Sequence, residues 1–567
     1  MPLMGSLYIG ASGLQTSQNA LNTTAHNLSN IETEGYTRQQ TLLEDRFYNT
    51  IGNAAISAKQ SGLGVEYADV RQVRDFFLDL SYREETGRKE FYEIAYETST
   101  EIETLLGEME GASFHDALGD YWTSIQELQK DPTSAVVQGQ FVATALQFLE
   151  RAQAVYDGLS NYQDNLNARV VDQVNLINEY GHKIKQLNDA IKATEIGQEE
   201  ANDMRDARNL LIDKLSEMCN ISYSETIDNV VEISVEGTPF VCRDRVFEMD
   251  TKMDDSTGFY TPIWPWNDDA EVFDLDKEIL SADDTDIGKL KSILLMRGDR
   301  RANYTDLMTD REVGGVTYDV YNQGYKDASG MERVATRKSV VLTMQAELDN
   351  LVHALTTSVN DILCNEQGKE APERYYATQE ELPIELFERL GESSRYEEYT
   401  GPVDADHPYG AGWYYIKEDI TNAPVDVSSM YTLSNLKINP DLLKQPTLLS
   451  FVTVDKQADQ VKADRLAQAF QDPFGTLNPD SNKEYNFTDY YDNMVVQIGN
   501  TGFIYKTIAD SQGGTVVSLE NARQSVMGVS SNEELSNMIK FQNAYNAASR
   551  YINAIDAMLD HLINRLT

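Results

Sequence analysis

The sequence predicts a multidomain α+β chain. Its terminal helices pair as a coiled coil, a discontinuous bundle of long helices forms the body, and β-rich domains are inserted into it. Three observations carry this reading. Both chain ends repeat apolar residues in steps that alternate 3 and 4, long helical patterns fill 75–218 and resume after 457, and the stretch between them is β-branched and alternating.

At the N-terminus the repeat is Leu7, Ala11, Leu14, Gln18, Leu21, Ala25 and Leu28, with Gln18 alone polar. At the C-terminus it is Met538, Phe541, Tyr545, Ala548, Ile552, Ile555, Leu559, Leu562 and Leu566. Strict alternation averages 3.5 residues, the period of a coiled-coil seam. Small residues in the first seam face bulky ones in the second, so the two can interlock. A lone helix of about 25 residues is marginal in water, so each end needs a partner. Together, 1–35 and 531–567 read as a terminal assembly domain.

The first helix spans about 6–30, with Ser6 as N-cap, and ends near Asn30 before Gly35 permits a turn. From Tyr36 to Val73 the pattern is strand-like, punctuated by Gly52, Gly62 and Gly64. Helices are expected over 75–106, 113–129, 134–194 and 200–218. The longest carries Val136, Phe141, Leu146, Leu149, Val155, Leu159, Leu166, Val170, Val174, Ile177, Ile184, Leu187 and Ile191 on its apolar face. The composition changes at Cys219. Ile221-Ser-Tyr-Ser, Val230-Val-Glu-Ile-Ser-Val and Pro239-Phe-Val-Cys read as strands, and 219–335 as a β-rich inserted domain. A helix follows over 337–364. The Tyr-, Glu-, Pro- and Gly-rich stretch 366–435 is too aromatic for a disordered linker and reads as a second inserted module. Leu448 to Val454 is strand-like, and helices return from 457, over 486–527 and over 532–566. The bundle is thus assembled from 36–218, 336–365 and 436–530.

The chain has 567 residues, 41 % of them hydrophobic, and a formal net charge of −45 from 92 acidic and 47 basic residues. That balance argues against nucleic acid or an anionic membrane as partner, because both require basic patches. No apolar run reaches the length of a membrane span. The first basic residue is Arg38, so the start lacks the charged region of a cleaved secretion signal. The three cysteines, Cys219, Cys242 and Cys364, are too sparse for a disulfide framework and read as small buried residues, although a Cys219–Cys242 bridge stays open.

Motifs for chemistry are missing. The six histidines show no metal spacing, and there is no nucleophile elbow, C-x-x-C or P-loop. Asp480, Asn482 and Glu484 alternate like a calcium loop, but Tyr485 stands where that loop requires glycine. Acidic pairs such as Asp254-Asp255 read as solvated surface, and Trp264, Trp266 and Trp413 as core or loop anchors. The expectation is a protein that is not an enzyme, with no catalytic residue, no cofactor and no metal.

One segment is more specific: Asn27-Leu-Ser-Asn-Ile-Glu-Thr-Glu-Gly-Tyr-Thr-Arg-Gln39. It resembles the signature that follows the first helix in bacterial flagellar axial proteins, those of rod, hook and hook–filament junction. The matching residues are Asn27, Asn30, Thr33, Gly35, Tyr36 and Arg38. Asn and Thr side chains can cap a helix end, and Gly35 can take φ > 0. Glu533 to Arg550 resembles the last helix of the same family. Within it, Thr37-Arg38-Gln39 and the internal Arg205-Asp-Ala-Arg-Asn-Leu-Leu-Ile-Asp-Lys-Leu-Ser216 are similar to the members at the hook–filament junction.

The resemblance implies an extracellular structural protein of the flagellum that joins hook to filament. It would be exported unfolded, without a cleaved signal, through the flagellar secretion apparatus. It implies self-assembly with identical subunits, hook protein below, a second junction protein towards the filament, and an export chaperone on the C-terminal helix. Two alternatives stand beside it: another axial subunit of hook or distal rod, and an axial scaffold carrying a secreted hydrolase domain.

Overall fold

A computed structural model describes the chain except for residues 1–2, 47, 55–56, 108–112, 198–199, 328–329, 371, 392–394, 422–425, 450, 454–456 and 567. In chain order its helices are α1 (Leu3–Ser29), α2 (Phe76–Gly107), α3 (Phe114–Lys130), α4 (Ala135–Glu195) and α5 (Asn202–Met218), then α6 (Lys289–Arg297), α7 (Val320–Gln323) and α8 (Val340–Leu363). They continue with α9 (Pro440–Lys444), α10 (Gln460–Gln471), α11 (Phe487–Met527) and α12 (Ser531–Leu566). The long helices start and stop within a few residues of the positions set by the apolar period and its caps. Ser113 and Asn486 accept hydrogen bonds from the backbone N–H of Asp116 and Asp489, closing the first turns of α3 and α11.

The bundle is organised by α4, whose 61 residues extend about 90 Å. Phe141, Phe148, Leu159, Leu166, Val170, Ile177, Ile184 and Ile191 on α4 are fully buried. Against them Tyr121 of α3 stacks on Phe141 and Phe148 with ring centroids 5.5 and 5.6 Å away. Phe114 meets Tyr491 of α11 edge-on at 4.7 Å. The longest helix–helix interface is α2 with α11, and the two run antiparallel. Tyr491 at the start of α11 donates to the Leu106 carbonyl at 2.7 Å, while Arg523 near its end lies 3.0 Å from Asp79 at the start of α2.

Between α1 and α2 the chain makes a long β-ribbon. β1 (Gln39–Asp45) pairs antiparallel with β4 (Val65–Gln72), from Gln39↔Gln72 to Asp45↔Val65, with a bulge between Leu42 and Leu43. β2 (Tyr48–Ala54) and β3 (Ser57–Gly62) extend it as a hairpin. After α5, β5 (Ile221–Glu225), β6 (Val231–Val235) and β7 (Thr238–Val241) form an antiparallel sheet with β6 central. Val231, Ile233 and Val235 alternate inward from it. β8 (Asp250–Met253), β9 (Tyr260–Trp264) and β10 (Ala270–Glu271) form a second small sheet. Both lean on α4, where Gly181 leaves room for Phe240: a Cβ at Gly181 would lie 2.5 Å from that ring.

Three features depart from the sequence reading. Residues 289–297, inside the expected β-rich domain, form α6. Leu290, Ile293, Leu294, Leu295 and Met296 are all buried, so the helix is apolar around most of its surface and shows no stripe to read. The strand-like run from Leu448 is a 3-10 turn at Pro446–Leu449 followed by one bridge, Val452 to Ala458. The Tyr-rich stretch is woven into the main core. Leu386, Phe387 and Tyr431 are fully buried there, strand Phe387–Arg389 pairs with Leu436–Ile438, and Asn360 of α8 donates to the Phe387 carbonyl at 2.7 Å. A separate three-stranded sheet, Tyr375–Tyr376, Gly412–Tyr415 and Tyr396–Tyr399, forms within the same stretch. Trp264 is a core residue, whereas Trp266 is exposed and packs on Phe247. All three cysteines are free thiols.

Candidate assembly site at the joined chain ends

The two ends of the chain lie side by side. α1 runs antiparallel to α12: a Cβ at Gly10 would sit 2.8 Å from Ile552, and one at Gly13 would sit 3.8 Å from Ala548. Rising numbers on one helix meet falling numbers on the other. Absent side chains at Gly10 and Gly13 therefore set how closely the helices approach. On its other flank α1 carries the ribbon. The Gly64 backbone, at φ +103, packs against Ser12 and Ile9. The most buried positions of α1 are Ser6, Gly10, Thr16, Ala20, Thr24 and Asn27.

The expected N-terminal seam lies one residue round from Gly10, Gly13 and Ala20. Leu7, Leu14, Leu21 and Leu28 are partly buried, and Ala11, Gln18 and Ala25 are exposed. On α12, Ile555 is buried, and Met538, Phe541, Tyr545, Ala548, Ile552 and Leu559 are partly buried. Leu562 is 45 % exposed, and the side chain of Leu566 lies outside the described residues. A second apolar set faces solvent: Leu535, Ile539, Met558 and Ile563 are 46, 61, 55 and 60 % exposed.

Below the helix pair, the motif residues build a polar node. Asn27 is 1 % exposed and acts like a strand residue: its Nδ2 donates to the Gln39 carbonyl at 2.9 Å, and its Oδ1 accepts from the Gln39 N–H at 3.0 Å. Tyr36 donates its hydroxyl to the same Oδ1 at 2.8 Å. Asn30 folds back onto the His26 carbonyl at 3.0 Å and accepts from Thr33 Oγ1 at 3.1 Å, which closes the helix end. Gly35 takes φ +76, and a Cβ there would lie 3.2 Å from Leu210. The Arg38 N–H donates to the Met527 carbonyl at 2.8 Å, and its guanidinium reaches Glu533 at 3.0 Å and Glu534 at 2.9 Å. One residue thus ties the exit from α1 to both sides of the α11–α12 junction.

The rest of the node comes from α5, the segment Arg205 to Ser216. Asp206 accepts from the Thr37 N–H at 3.0 Å and from Gln72 at 2.8 Å. Two turns on, Asp213 pairs with Arg83 of α2 at 2.6 Å and Arg523 of α11 at 2.8 Å. Burial pushes the Asp206 carboxyl up to about 6, against the Thr37 hydrogen bonds and Arg74, which hold it down. Burial also raises the Tyr36 phenol well above its usual range, with Asp203, Asp206 and Glu534 adding to the effect. Burial disfavours the charged Arg523, but the carboxylates of Asp213, Asp79 and Glu520 outweigh it. Sequence reading singled out the segments that hold Asp206, Asp213 and Glu534 but not the contacts of these residues or of Arg523, whose partners lie far away along the chain.

Known protein families match the sequence at both ends and in the middle. The family model "Flagellar hook-associated protein FlgK helical domain" matches residues 99–370. Those for "Flagella basal body rod protein" and "Flagellar basal body rod FlgEFG protein C-terminal" match 7–37 and 523–566. Flagellar hook-associated protein 1 of Bacillus subtilis (strain 168) is 26 % identical over 97 % of this chain and 96 % of its own length. That of Escherichia coli (strain K12) is 23 % identical over 99 % of this chain and 100 % of its own. The structure of the flagellar hook junction protein FlgK from Burkholderia pseudomallei shares the fold, with a TM-score of 0.52 at 12 % identity, covering 79 % of this chain and 100 % of that one. The chain is thus similar to flagellar hook-associated protein 1 over nearly its full length, and to flagellar models at both ends and along the helical middle.

Proposed function

We propose that the chain is a structural subunit of the bacterial flagellum at the hook–filament junction, and that it polymerises through the α1–α12 pair. The observation that carries this reading is the helix pair itself. Each helix covers one face of the other, yet Leu535, Ile539, Met558, Leu562 and Ile563 stay exposed on α12. Identical subunits side by side would cover them. Within this reading, 1–35 with 531–567 forms the assembly domain, and 36–218, 336–365 and 436–530 form the wall around it. The β-rich 219–335 and the outer sheet of 366–435 face outwards.

Hook protein below and a second junction protein above are the neighbours this position implies. A chaperone on α12 before export fits the apolar face that the helix would otherwise show to the cytoplasm.

The test is genetic and visual. A strain lacking the gene should build hooks without attached filaments, and the intact gene should restore them. Loss of the hooks themselves would place the chain lower in the axis, as a hook or rod subunit.

A further inference from the structure

The Tyr-rich stretch holds a cleft that plays no part in joining subunits. Its volume is about 530 Å³, within the range of clefts that take small ligands. Glu397 and Tyr415 line it from two adjacent strands of the three-stranded sheet, and Lys417 lies just past the second. Arg374 lines it from the position before strand Tyr375–Tyr376, and Asp406 and His407 from the 400–411 loop. Pro372, Ala405 and Ile416 supply apolar wall.

The walls are held in place before any ligand arrives. Asp404 accepts from the Tyr399 hydroxyl at 2.7 Å and from the His407 backbone N–H at 2.6 Å, and it bonds His407 Nδ1 at 2.9 Å. The His407 ring stacks on Tyr399 at 3.6 Å. Tyr414 donates to the Gly410 carbonyl at 2.8 Å and accepts from the Tyr409 N–H at 3.1 Å. Arg374 lies over the Tyr415 ring at 4.6 Å and donates to Asp361 at 3.1 Å and to the Lys369 carbonyl at 2.9 Å. A ligand entering here has little ordering of the protein to drive.

The polar groups that face the cleft are unused. Among the described residues the side chains of Glu397, Asp406 and Lys417 make no hydrogen bond or ion pair, and His407 keeps Nε2 without a partner. The charges are of both signs. A simple anion would meet the carboxylates of Glu397 and Asp406, and a simple cation would meet Arg374 and Lys417. A hydroxyl both donates and accepts, so a ligand rich in hydroxyls uses both kinds at once. We propose that the cleft binds a neutral saccharide. Its hydroxyls donate to Glu397 and Asp406 and accept from Lys417 and Arg374, and its C–H edges rest on Pro372, Ala405 and Ile416. This inference stands apart from the junction reading and does not depend on where in the flagellum the chain sits.

The experiment is saturation-transfer NMR on the full-length chain, with glucose, galactose, mannose and N-acetylglucosamine as probes. At least one should give a saturable signal. Glu397 and Lys417 are exposed, so Glu397→Gln and Lys417→Met should leave the circular dichroism unchanged. Each should weaken the bound sugar about tenfold or more, as loss of a charge-assisted hydrogen bond does. Replacing 400–411 with Asn-Gly removes Asp406 and His407 and should abolish the signal. Silence from all four sugars overturns the proposal. So does binding that both point variants leave unchanged, which would put the sugar elsewhere on the chain. Displacement of the sugar by acetate or methylammonium at lower concentration than by free sugar would make this an ion site, and overturns it too.

Discussion

The bundle and the helix pair at the chain ends are both helical, yet they bury different things. In the bundle, Phe114, Tyr121, Phe141, Phe148 and Tyr490 are 0 % exposed, and large side chains interdigitate from several helices. In the terminal pair, contact runs through Gly10 and Gly13, and among the described apolar residues of α12 only Ile555 is buried. The bundle completes its own core. The pair saturates one side of each helix and leaves much of the rest exposed. Helical period alone does not distinguish the two, but what each helix leaves uncovered does.

The largest effect that follows concerns assembly. Leu559→Asp with Leu562→Asp places two carboxylates on the α12 face meant to be buried. Each would cost several kcal/mol without a partner. Assembly into filament-bearing junctions should fall more than about 100-fold, since each 1.4 kcal/mol is a factor of ten. The bundle does not use these residues, so its thermal unfolding should stay where it is. Normal swimming by cells carrying the variant would remove the assembly role from this face.

The converse change tests the other half of the comparison. Phe148 lies between Phe114 and Tyr121, with ring centroids 5.5 and 5.6 Å away. Phe148→Ala should cost about 3–5 kcal/mol of bundle stability through the cavity it leaves. Chemical denaturation of the purified chain would show this as a lower midpoint. A loss below 1 kcal/mol would mean that the bundle is looser than its packing.

The bundle also contains a pH response. Burial drives Glu347 up to about 8, against the hydrogen bonds it accepts from Asn478 and Gln497, and among the described residues it pairs with no cation. Burial likewise takes Asp349 to about 7 and Glu385 to about 7. These carboxyls bind protons more readily folded than unfolded. Their contribution is therefore fully present below about pH 4 and is lost as pH rises through 7 and 8. The bundle should lose stability between pH 5 and pH 9, and Glu347→Gln should reduce that loss by on the order of a few kcal/mol. An equal slope in wild type and variant would mean that Glu347 is ionised throughout.

Why some of this was legible in the sequence and some was not follows from the same contrast. The long helices could be read because each is amphipathic, and the motif after α1 could be read because Asn27, Gly35 and Arg38 are close in sequence. α6 could not, since burial on nearly every side removes the polar face that makes a helix periodic. Nor could the node: Arg38 with Glu534, Asp206 with Thr37, and Asp213 with Arg523 join residues that no local pattern connects. On α1 itself, the leucine row attracted attention, while the closest approach to α12 is made by glycines, which contribute no apolar signal.

That last point gives a smaller test. Gly10→Val would press a branched side chain onto Ile552 and Tyr551, now 2.8 and 3.0 Å from where its Cβ would lie. Overpacking of this kind costs about 1–3 kcal/mol. The cost should fall on the pair, so assembly should weaken about tenfold or more while bundle unfolding is unchanged. Gly5→Val is the control, since a Cβ at Gly5 meets nothing within 4 Å. Equal effects from both variants would locate the loss in helix propensity rather than in contact with α12.

The smallest effect is expected furthest from both regions. Strands Tyr396–Tyr399 and Gly412–Tyr415 pair antiparallel and close at Tyr399↔Gly412, leaving 400–411 as the connecting tip. The tip packs mainly on itself and on its own sheet: His407 stacks on Tyr399 at 3.6 Å and Tyr409 on Tyr375 at 4.9 Å. The side chains that tie this stretch to the body, such as Glu418 with His353 at 3.0 Å and Arg395 with Asp361 at 2.6 Å, lie outside it. A closing pair of this kind accepts a two-residue turn, and Asn-Gly suits the twist of the strands. Replacing 400–411 with Asn-Gly should therefore cost less than about 1 kcal/mol, because shortening a surface loop changes its closure entropy little. Export, filament attachment and bundle unfolding should match the intact chain. A shortened chain that folds and is exported but leaves hooks bare would show that the tip touches another part of the structure. The line between self-contained and unfinished surface would then have to be drawn through the outer sheet as well as through the helix pair.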